Sequence, residues 1–299
     1  GGFFRYTTDR AWQNPLPEKS LTDNAQMLQL LTTVWRETQN PLYKDRAEKT
    51  ARWLMDEMQL GATEDGQGNK GQENIGSFAT LMTPSIGKNE KVLAEANGHA
   101  IAALAQAGAV FGQPDWRTAA EQAFNAVIHT HSDEGGALYH SWDAGTLYKV
   151  SPGRVNPGKV SVSEDYAAMA HAALTLYETQ QVSNRQELLE KAQMWLYRLM
   201  QRHEDTQKGG FYHTEKGNND LFMALKNSRD GATPSANGLA MQGAARLFHV
   251  TGSRVWQEQA KRIFGAFSGD IPGEVFAHAS LLLGQCYLLG CFSESEDNS

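Results

Sequence analysis

The stretch NGHAIAALAQAGAVF, residues 97–111, contains no Asp, Glu, Lys or Arg and consists mostly of Ala, Gly and larger apolar residues. A helix of this composition has no charged face to turn toward water, so we expect it to be buried on both sides. Four further windows without charged residues share this character and lie at 24–34, 166–177, 233–245 and 276–291. The sequence therefore predicts five buried inner helices.

Amphipathic segments alternate with these windows. In residues 42–58, apolar side chains recur every three or four residues on one helical face. Segments 115–130, 186–201 and 254–266 read alike, which predicts four outer helices. Alternating inner and outer helices indicate an all-α toroid of the (α/α)6-barrel type. Four pairs and a fifth inner helix fall short of six pairs, and the chain begins without Met. We therefore expect one barrel domain over residues 1–299, incomplete because an N-terminal part of the parent protein is missing.

The connections between the helices are strongly asymmetric. Turns from an inner to an outer helix are short, whereas the returns at 60–91, 131–163 and 204–233 each have about 30 residues. Their aromatic and β-forming residues predict short β-hairpins. Every long connection precedes an inner helix, so we expect these connections to gather at the end of the barrel where the inner helices begin. We call this end the loop face and predict the functional site there.

Repeats mark the same connections. Gly-Gly followed by apolar or aromatic residues occurs at residues 1–6, 135–140 and 209–214. The spacing predicts a degenerate fourth copy around Gly61 to Gly71.

Composition excludes several classes of function. The formal net charge of -7 argues against a nucleic-acid partner or an anionic membrane surface, because phosphate binding needs a basic field. From the sequence we expect no transmembrane segment and no signal peptide. The two cysteines, Cys286 and Cys291, form neither a disulfide framework nor a metal clamp and are expected to be buried thiols. We expect a cytoplasmic protein with no cofactor and no metal site.

Carboxylates on the loop face are candidates for acid–base chemistry. A glycosidase needs two carboxyl groups across a pocket. Sequence places Glu95 and Asp143 on this face, together with the five acids that we select as catalytic candidates: Asp9, Asp23, Glu164, Asp165 and Asp230. The alternative interpretation is structural, because acids at helix starts and in turns also cap and stabilise them.

Histidines on the inner helices are candidates for an isomerase or epimerase, which needs a group that moves a proton beside a sugar carbonyl. His99 and His278 lie near the beginnings of their helices and are preferred as catalytic candidates over His171. Hydrogen-bonded core histidines are the alternative. His140 and His213 occupy related positions in two hairpins, but their spacing does not support a metal site.

Polar and aromatic side chains on the loop face are candidates for sugar binding. The predicted substrate-binding residues are Arg5, Tyr6, Trp12, Asn24, Asn97, Tyr139, Trp142, Tyr166 and Asn237. Aromatic rings stack on sugars, although packing between hairpin and helix is the alternative explanation for them.

The chain resembles a known family through several motifs in order. They are residues 1–9, Asp23-Asn24-Ala25-Gln26, Lys91-Val92-Leu93 with Asn97-Gly98, Glu164-Asp165-Tyr166-Ala167, Gly209-Gly210-Phe211 and residues 230–235 with Asn237. These motifs are similar to those of the thioredoxin-domain-containing family of spermatogenesis-associated thioredoxin-like proteins. The resemblance implies an (α/α)6 barrel similar to six-hairpin glycosidases and N-acylglucosamine 2-epimerases, here without the thioredoxin-like domain.

The chain departs from the family pattern on the loop face. Pro15-Leu16-Pro17 stands where the family has Pro-His-Phe, and Ala96 replaces a Trp. Two hypotheses stay open. One is a carbohydrate-active barrel that binds a sugar or glycoside, with proton transfer preferred over glycosidic hydrolysis. The other is a catalytically degenerate scaffold that binds a metabolite or a protein.

Overall fold

The computed structural model describes residues 1–61, 76–133, 135–142, 161–179, 184–216 and 223–291, together with the backbone of two short strands at 63–64 and 70–71. Nine α-helices lie in these residues: α1 Leu21–Thr38, α2 Pro41–Trp53, α3 Ala94–Val110, α4 Pro114–His131, α5 Ser163–Thr179, α6 Arg185–His203, α7 Ala236–Thr251, α8 Arg254–Phe267 and α9 Ala279–Leu288. A π-helical turn, Leu54–Met58, extends α2, and two 3-10 turns, Ile271–Gly273 and Val275–His278, precede α9. Among these helices, none is both long and apolar enough to cross a membrane.

The helices form two concentric layers. The odd-numbered helices pack side by side in the order α1, α3, α5, α7, α9, and α2, α4, α6 and α8 each pack on the outside of the inner helix that precedes them. The predicted all-α toroid of inner and outer helices is therefore confirmed. Residues 276–278 lie in a 3-10 turn, so the last inner helix begins later than the uncharged window predicts.

Small residues bring the inner helices close together. A Cβ atom added to Gly98 of α3 would lie 2.8 Å from the carbonyl carbon and oxygen of Ala168 in α5. Gly238 of α7 faces Ser280 in the same way. The Ala- and Gly-rich composition of the inner helices follows from this close approach, since larger side chains would push the backbones apart.

Large aromatic side chains fill the space between the two layers. Trp116, Trp195 and Trp256 project from α4, α6 and α8 and are buried. Each belongs to the apolar face of an amphipathic helix, so these residues anchor the outer helices against the inner layer.

The strands are short and lie in the long connections. They are β1 Lys19–Ser20, β2 Thr63–Glu64, β3 Lys70–Gly71, β4 Leu81–Thr83, β5 Gly87–Asn89, β6 Val92–Leu93 and β7 Ser141–Trp142. The first long connection contains two antiparallel hairpins, β2–β3 and β4–β5, as the sequence predicts. In the second long connection, the described residues contain β7. This strand pairs antiparallel with β6, which lies at the end of the first connection.

An inner-helix side chain holds the backbone of each Gly-Gly repeat. Asn24, Asn97 and Asn237 each accept a hydrogen bond from one backbone N–H and donate one to the carbonyl of that same residue. The residues they hold are Phe3, Phe78 and Phe211. On α5 the Tyr166 hydroxyl accepts a bond from the Leu138 N–H instead.

The bond to Phe78 identifies the fourth repeat. Gly76–Phe78 has the features of the repeat, with Gly76 at φ 106°, and begins five residues beyond the predicted range of Gly61 to Gly71, most of which lies outside the described residues. This copy retains the positive φ and the bonded backbone position but not the Gly-Gly pair.

Candidate functional site

A central cavity of about 760 Å³ lies between the inner helices. Its wall includes Gln26 and Arg36 near the two ends of α1, and His99 and Val110 near the two ends of α3. The cavity therefore runs along the helices from the loop face toward the opposite end of the barrel. A smaller pocket of about 260 Å³ beside the mouth shares three lining residues with it, Gly231, Thr233 and Pro234.

The segment that both pockets share crosses the mouth of the cavity. Gln26 of α1 donates a hydrogen bond to the carbonyl of Ala232, and Thr233 hydrogen-bonds to the Glu95 side chain of α3. The segment that leads into α7 is thereby tied to two other inner helices. It therefore links the starts of α1, α3 and α7 at this end of the cavity.

Asp165 is the most enclosed member of a group of acids and imidazoles at this entrance. Its carboxylate is 0% exposed and accepts hydrogen bonds from the backbone N–H of Val162 at 3.1 Å and of Glu95 at 3.2 Å. The Nδ1 atom of His140 lies 3.0 Å from the same carboxylate. This bond, the largest cause, raises the pKa of His140 above its ordinary value.

Glu164 forms a second carboxylate–imidazole pair beside the first. Its carboxylate lies 2.8 Å from Nδ1 of His213. Burial is the largest single influence and opposes ionisation of Glu164, but the hydrogen bond and charge of His213, together with hydrogen bonds from the Glu164 N–H and the Ser163 hydroxyl, lower the pKa of the carboxyl. The same bond raises the pKa of His213.

Glu95 differs from its neighbours because it has no imidazole in hydrogen-bond contact. Burial, followed by the negative charges of Asp165 and Glu164, raises its pKa to about 6, although His140 and Thr233 act in the opposite direction. Its side chain is 22% exposed and adjoins the cavity wall through a hydrogen bond to Thr233 and a 3.9 Å approach to His99. Neighbouring carboxyls with pKa values displaced in opposite directions are typical of sites that divide acid and base roles. We refer to Glu95, His140, Glu164, Asp165 and His213 as the acid–imidazole cluster.

His99 lies just below the cluster in the cavity wall. Its ring is 2% exposed, and Nε2 has no hydrogen-bond partner, the nearest carboxylate oxygen being that of Glu95 at 3.9 Å. Burial lowers the pKa of His99 to about 4, so the ring is neutral near pH 7. A buried, unpaired ring nitrogen on a cavity wall is suited to a hydroxyl group of a ligand.

A further polar group lines the deeper part of the cavity. The guanidinium of Arg246 makes two hydrogen bonds of 2.8 Å to Glu178 and lies 3.1 Å from Nδ1 of His171. Burial, followed by the charge of Arg246, holds the pKa of His171 well below its ordinary value. The cavity wall is therefore polar at depth as well as at the mouth.

Two other predicted catalytic residues have local structural partners. Asp230 lines the cavity and accepts hydrogen bonds from the backbone N–H of Ser235 at 2.8 Å and of Ser280 at 2.7 Å, which joins the starts of α7 and α9. His278 is buried with Nδ1 2.9 Å from the Ser228 hydroxyl. It does not line the cavity with His99, where the second histidine is His171.

The predicted residues of the N-terminal segment are exposed or pair with other residues near the start of the chain. Asp9 accepts turn bonds from the N–H groups of Gln13 and Asn14, which lower its pKa to about 2. Asp23 lies 3.6 Å from the Arg5 guanidinium. The side chains of Tyr6 and Trp12 are exposed.

The remaining predicted binding residues divide into two groups. Asn24, Asn97, Asn237 and Tyr166 use their polar atoms to hold the repeats described above. Tyr139 is half-buried next to the His140 position, and the side chain of Trp142 lies outside the described residues, as does the whole of Asp143.

The structure thus brings Glu164, Asp165 and His99 together and adds three residues that were not selected from sequence. Glu95 reads as an ordinary helix-start acid. His140 and His213 were recognised as related hairpin positions, and that relation is the signal that was available for them. In the part of the chain that the structure describes, no group of three or more potential ligand residues is arranged to hold a metal ion.

Comparison with known proteins gives relatives for part of the chain. No protein-family profile matches it. Human spermatogenesis-associated protein 20 is 30% identical over 209 residues, which cover 67% of this chain and 25% of the human protein. The rat protein of the same name is 30% identical over 191 residues, covering 62% of this chain and 23% of its own length. The aligned region thus spans about a quarter of these curated relatives.

Solved structures show the fold at lower sequence identity. Cellobiose 2-epimerase from Spirochaeta thermophila has a TM-score of 0.65 and 16% identity, covering 91% of this chain and 64% of its own. A glycoside hydrolase family 76 mannosidase from Bacteroides thetaiotaomicron has a TM-score of 0.66 and 14% identity, covering 97% of this chain and 75% of its own. The chain has the (α/α)6-barrel fold of sugar epimerases and glycosidases and is homologous to a segment of spermatogenesis-associated protein 20.

Proposed function

We propose that the chain binds a neutral sugar at the mouth of the central cavity and moves a proton on it with the acid–imidazole cluster. The observation that carries this proposal is the position of Glu95. Its carboxyl has a pKa of about 6, is 22% exposed, contacts the cavity-wall residues Thr233 and His99, and lies next to the His140–Asp165 pair.

The cluster has the groups that proton transfer next to a sugar carbonyl requires. Near pH 7, Glu95 is mostly ionised and close to the pKa at which a carboxylate works best as a base. His140 and His213 carry raised pKa values, so their protonated rings are favoured and can stabilise negative charge on the carbonyl oxygen. In the proposed isomerisation, Glu95 removes the C2 proton while a protonated imidazole of the cluster gives a proton to the C1 carbonyl oxygen. Glu95 then delivers its proton to C1 while the imidazole takes the proton of the C2 hydroxyl.

The cavity supplies contacts for the rest of the sugar. The unpaired Nε2 of His99 and the polar wall around Arg246 suit a ligand with many hydroxyl groups. The fold of sugar epimerases and glycosidases supports the same ligand class. This chain matches only part of the length of its relatives and structural neighbours. A sugar-directed activity of the whole protein is therefore proposed here together with that of the chain.

Binding is tested first. Thermal shifts and calorimetry with monosaccharides and disaccharides are expected to identify a sugar that raises the unfolding temperature. That sugar is then incubated with the protein in D2O, and the loss of its C2 proton signal is followed by NMR. Deuterium uptake at C2 is the expected result, because proton abstraction exchanges the abstracted proton with solvent.

Glu95→Gln is expected to abolish the exchange while sugar binding remains. Glu90→Gln is the matched control, since Glu90 is exposed in the neighbouring strand connection. Release of a reducing sugar from a disaccharide without C2 exchange would replace proton transfer with hydrolysis, and binding without any turnover would favour the scaffold hypothesis. No thermal shift with any sugar would reject the proposal.

A further inference from the structure

The two cysteines lie at matched positions of the turn that ends α9. The helix ends at Leu288, and Gly290 adopts φ 74° in the left-handed region. The N–H of Cys291 donates to the carbonyl of Cys286 at 3.0 Å, and the N–H of Gly290 donates to the carbonyl of Tyr287 at 3.0 Å. These two bonds define a Schellman motif with Cys286 at C3 and Cys291 at C″.

This motif brings the two side chains together. Residues C3 and C″ commonly contact each other across a Schellman motif, and that contact is usually made by apolar side chains. Here both positions carry thiols, and both are free. Burial, followed by the neighbouring Cys291 thiol, raises the pKa of Cys286, which agrees with contact between the sulfur atoms. The expectation of two buried thiols was wrong for Cys291, because the turn leaves it exposed, and Cys286 is partly exposed.

We propose that Cys286 and Cys291 form a reversible disulfide across the C-terminal cap of α9, produced by exchange with a small disulfide such as glutathione disulfide. The exposed Cys291 thiolate attacks one sulfur of glutathione disulfide and releases one glutathione thiolate. The Cys286 thiolate then attacks the Cys291 sulfur of the mixed disulfide and releases the second glutathione. Two protein thiols are oxidised and one glutathione disulfide is reduced to two glutathione molecules.

The disulfide would act on the cavity wall through the last turn of α9. Tyr287 lies between the cysteines in sequence and lines the cavity. Its backbone carbonyl accepts hydrogen bonds from the Gly290 N–H and from Nε2 of His249 at 2.7 Å. Closing the disulfide removes fraying of this turn and fixes the position of Tyr287.

The folded chain is equilibrated with mixtures of reduced and oxidised glutathione and then digested with trypsin. Residues 263–299 contain no Lys or Arg, so one peptide carries both cysteines. Its mass is expected to fall by two hydrogen atoms without bound glutathione, and amide hydrogen exchange at Gly290 and Cys291 is expected to slow. A stable glutathione adduct in the unmutated chain, or disulfide-linked dimers, would overturn the proposal.

Single substitutions separate the two steps. Cys286→Ser is expected to retain a stable glutathione adduct on Cys291, whereas Cys291→Ser is expected to react more slowly through the less exposed Cys286. The reverse order of reactivity would contradict the assigned roles.

Gly290→Ala tests the role of the turn itself. An L-residue in the left-handed region is disfavoured, so this variant is expected to lower the equilibrium constant for disulfide formation by about 5- to 30-fold. Gly112→Ala is the matched control, because Gly112 follows α3 with φ 65°, and a Cβ atom added there would meet no neighbouring atom within 4 Å. Equal disulfide formation in both variants would show that the Schellman motif does not bring the thiols together.

Discussion

The backbone N–H of Glu95 donates a hydrogen bond to the carboxylate of Asp165, so the start of α3 is held by an acid from the start of α5. The bond keeps the Glu95 side chain next to a second carboxylate in a largely buried position. Charge repulsion and burial then act on the same residue. Together they raise the pKa of Glu95, and an ionised Glu95 therefore lowers the free energy of unfolding.

Glu95→Gln is therefore expected to stabilise the protein at neutral pH. An acid with a folded-state pKa of about 6 binds more protons than the unfolded chain between the two pKa values, so the native state loses stability as pH rises from about 4.5 to 6. The variant removes this loss and should gain roughly 1–2 kcal/mol in unfolding free energy at pH 7.5, and little at pH 4. Urea unfolding at both values measures the difference. Equal effects at the two values would contradict the assignment.

Glu164→Gln is expected to return the pKa of His213 toward its ordinary value, because it removes the hydrogen bond and charge that raise it. The raised His213 pKa contributes stability below about pH 6.5, and this contribution is lost as pH rises through the folded pKa. NMR titration of the histidine ring protons measures the shift. The His140 titration serves as the internal control, since its partner is Asp165, and a His213 titration unchanged by the substitution would disprove the pairing.

Asn237→Ala is expected to destabilise the barrel by roughly 2–4 kcal/mol. The substitution leaves the buried N–H and carbonyl of Phe211 without their shared partner, and each unpaired buried group costs about 1–3 kcal/mol. Asn184→Ala provides the control, because Asn184 is exposed and makes no side-chain capping bond. Chemical denaturation of both variants should separate them clearly. Similar stabilities would mean that the amide is not needed to hold the repeat.

Gly98→Ala is expected to cost about 1–3 kcal/mol through overpacking, because the new methyl group would meet the Ala168 backbone. In contrast, Gly265→Ala in α8 meets no neighbouring atom within 4 Å and is expected to stabilise that helix by up to about 1 kcal/mol. Thermal unfolding of the two variants provides the measurement. A stabilising Gly98→Ala would show that the contact between α3 and α5 is looser than described.

Most of the fold could be predicted from sequence because helix burial leaves a clear pattern. The uncharged 97–111 window became α3, and the amphipathic 186–201 segment became α6. The site was harder to predict because pairing between distant side chains leaves no periodic signal. Glu164 and His213 are 49 positions apart and meet only because the hairpin before α7 folds over the start of α5.

The asparagines show how one sequence feature can serve two roles. The sequence predicts Asn24, Asn97 and Asn237 as substrate-binding residues because they are polar and lie on the loop face. In the structure, their amides are occupied by backbone groups of the repeats. A single sequence does not distinguish these roles, since both require a polar side chain at the start of an inner helix.

The asparagine bonds also bear on how such a barrel can change over evolutionary time. Because each amide recognises only main-chain atoms, it places no demand on the side chains that the hairpin carries. Mutations can therefore alter the chemistry above the cavity while the attachment of each hairpin stays the same. A barrel whose hairpins are attached through main-chain atoms can acquire or lose an activity by substitutions in the hairpins alone, without changes in its core packing.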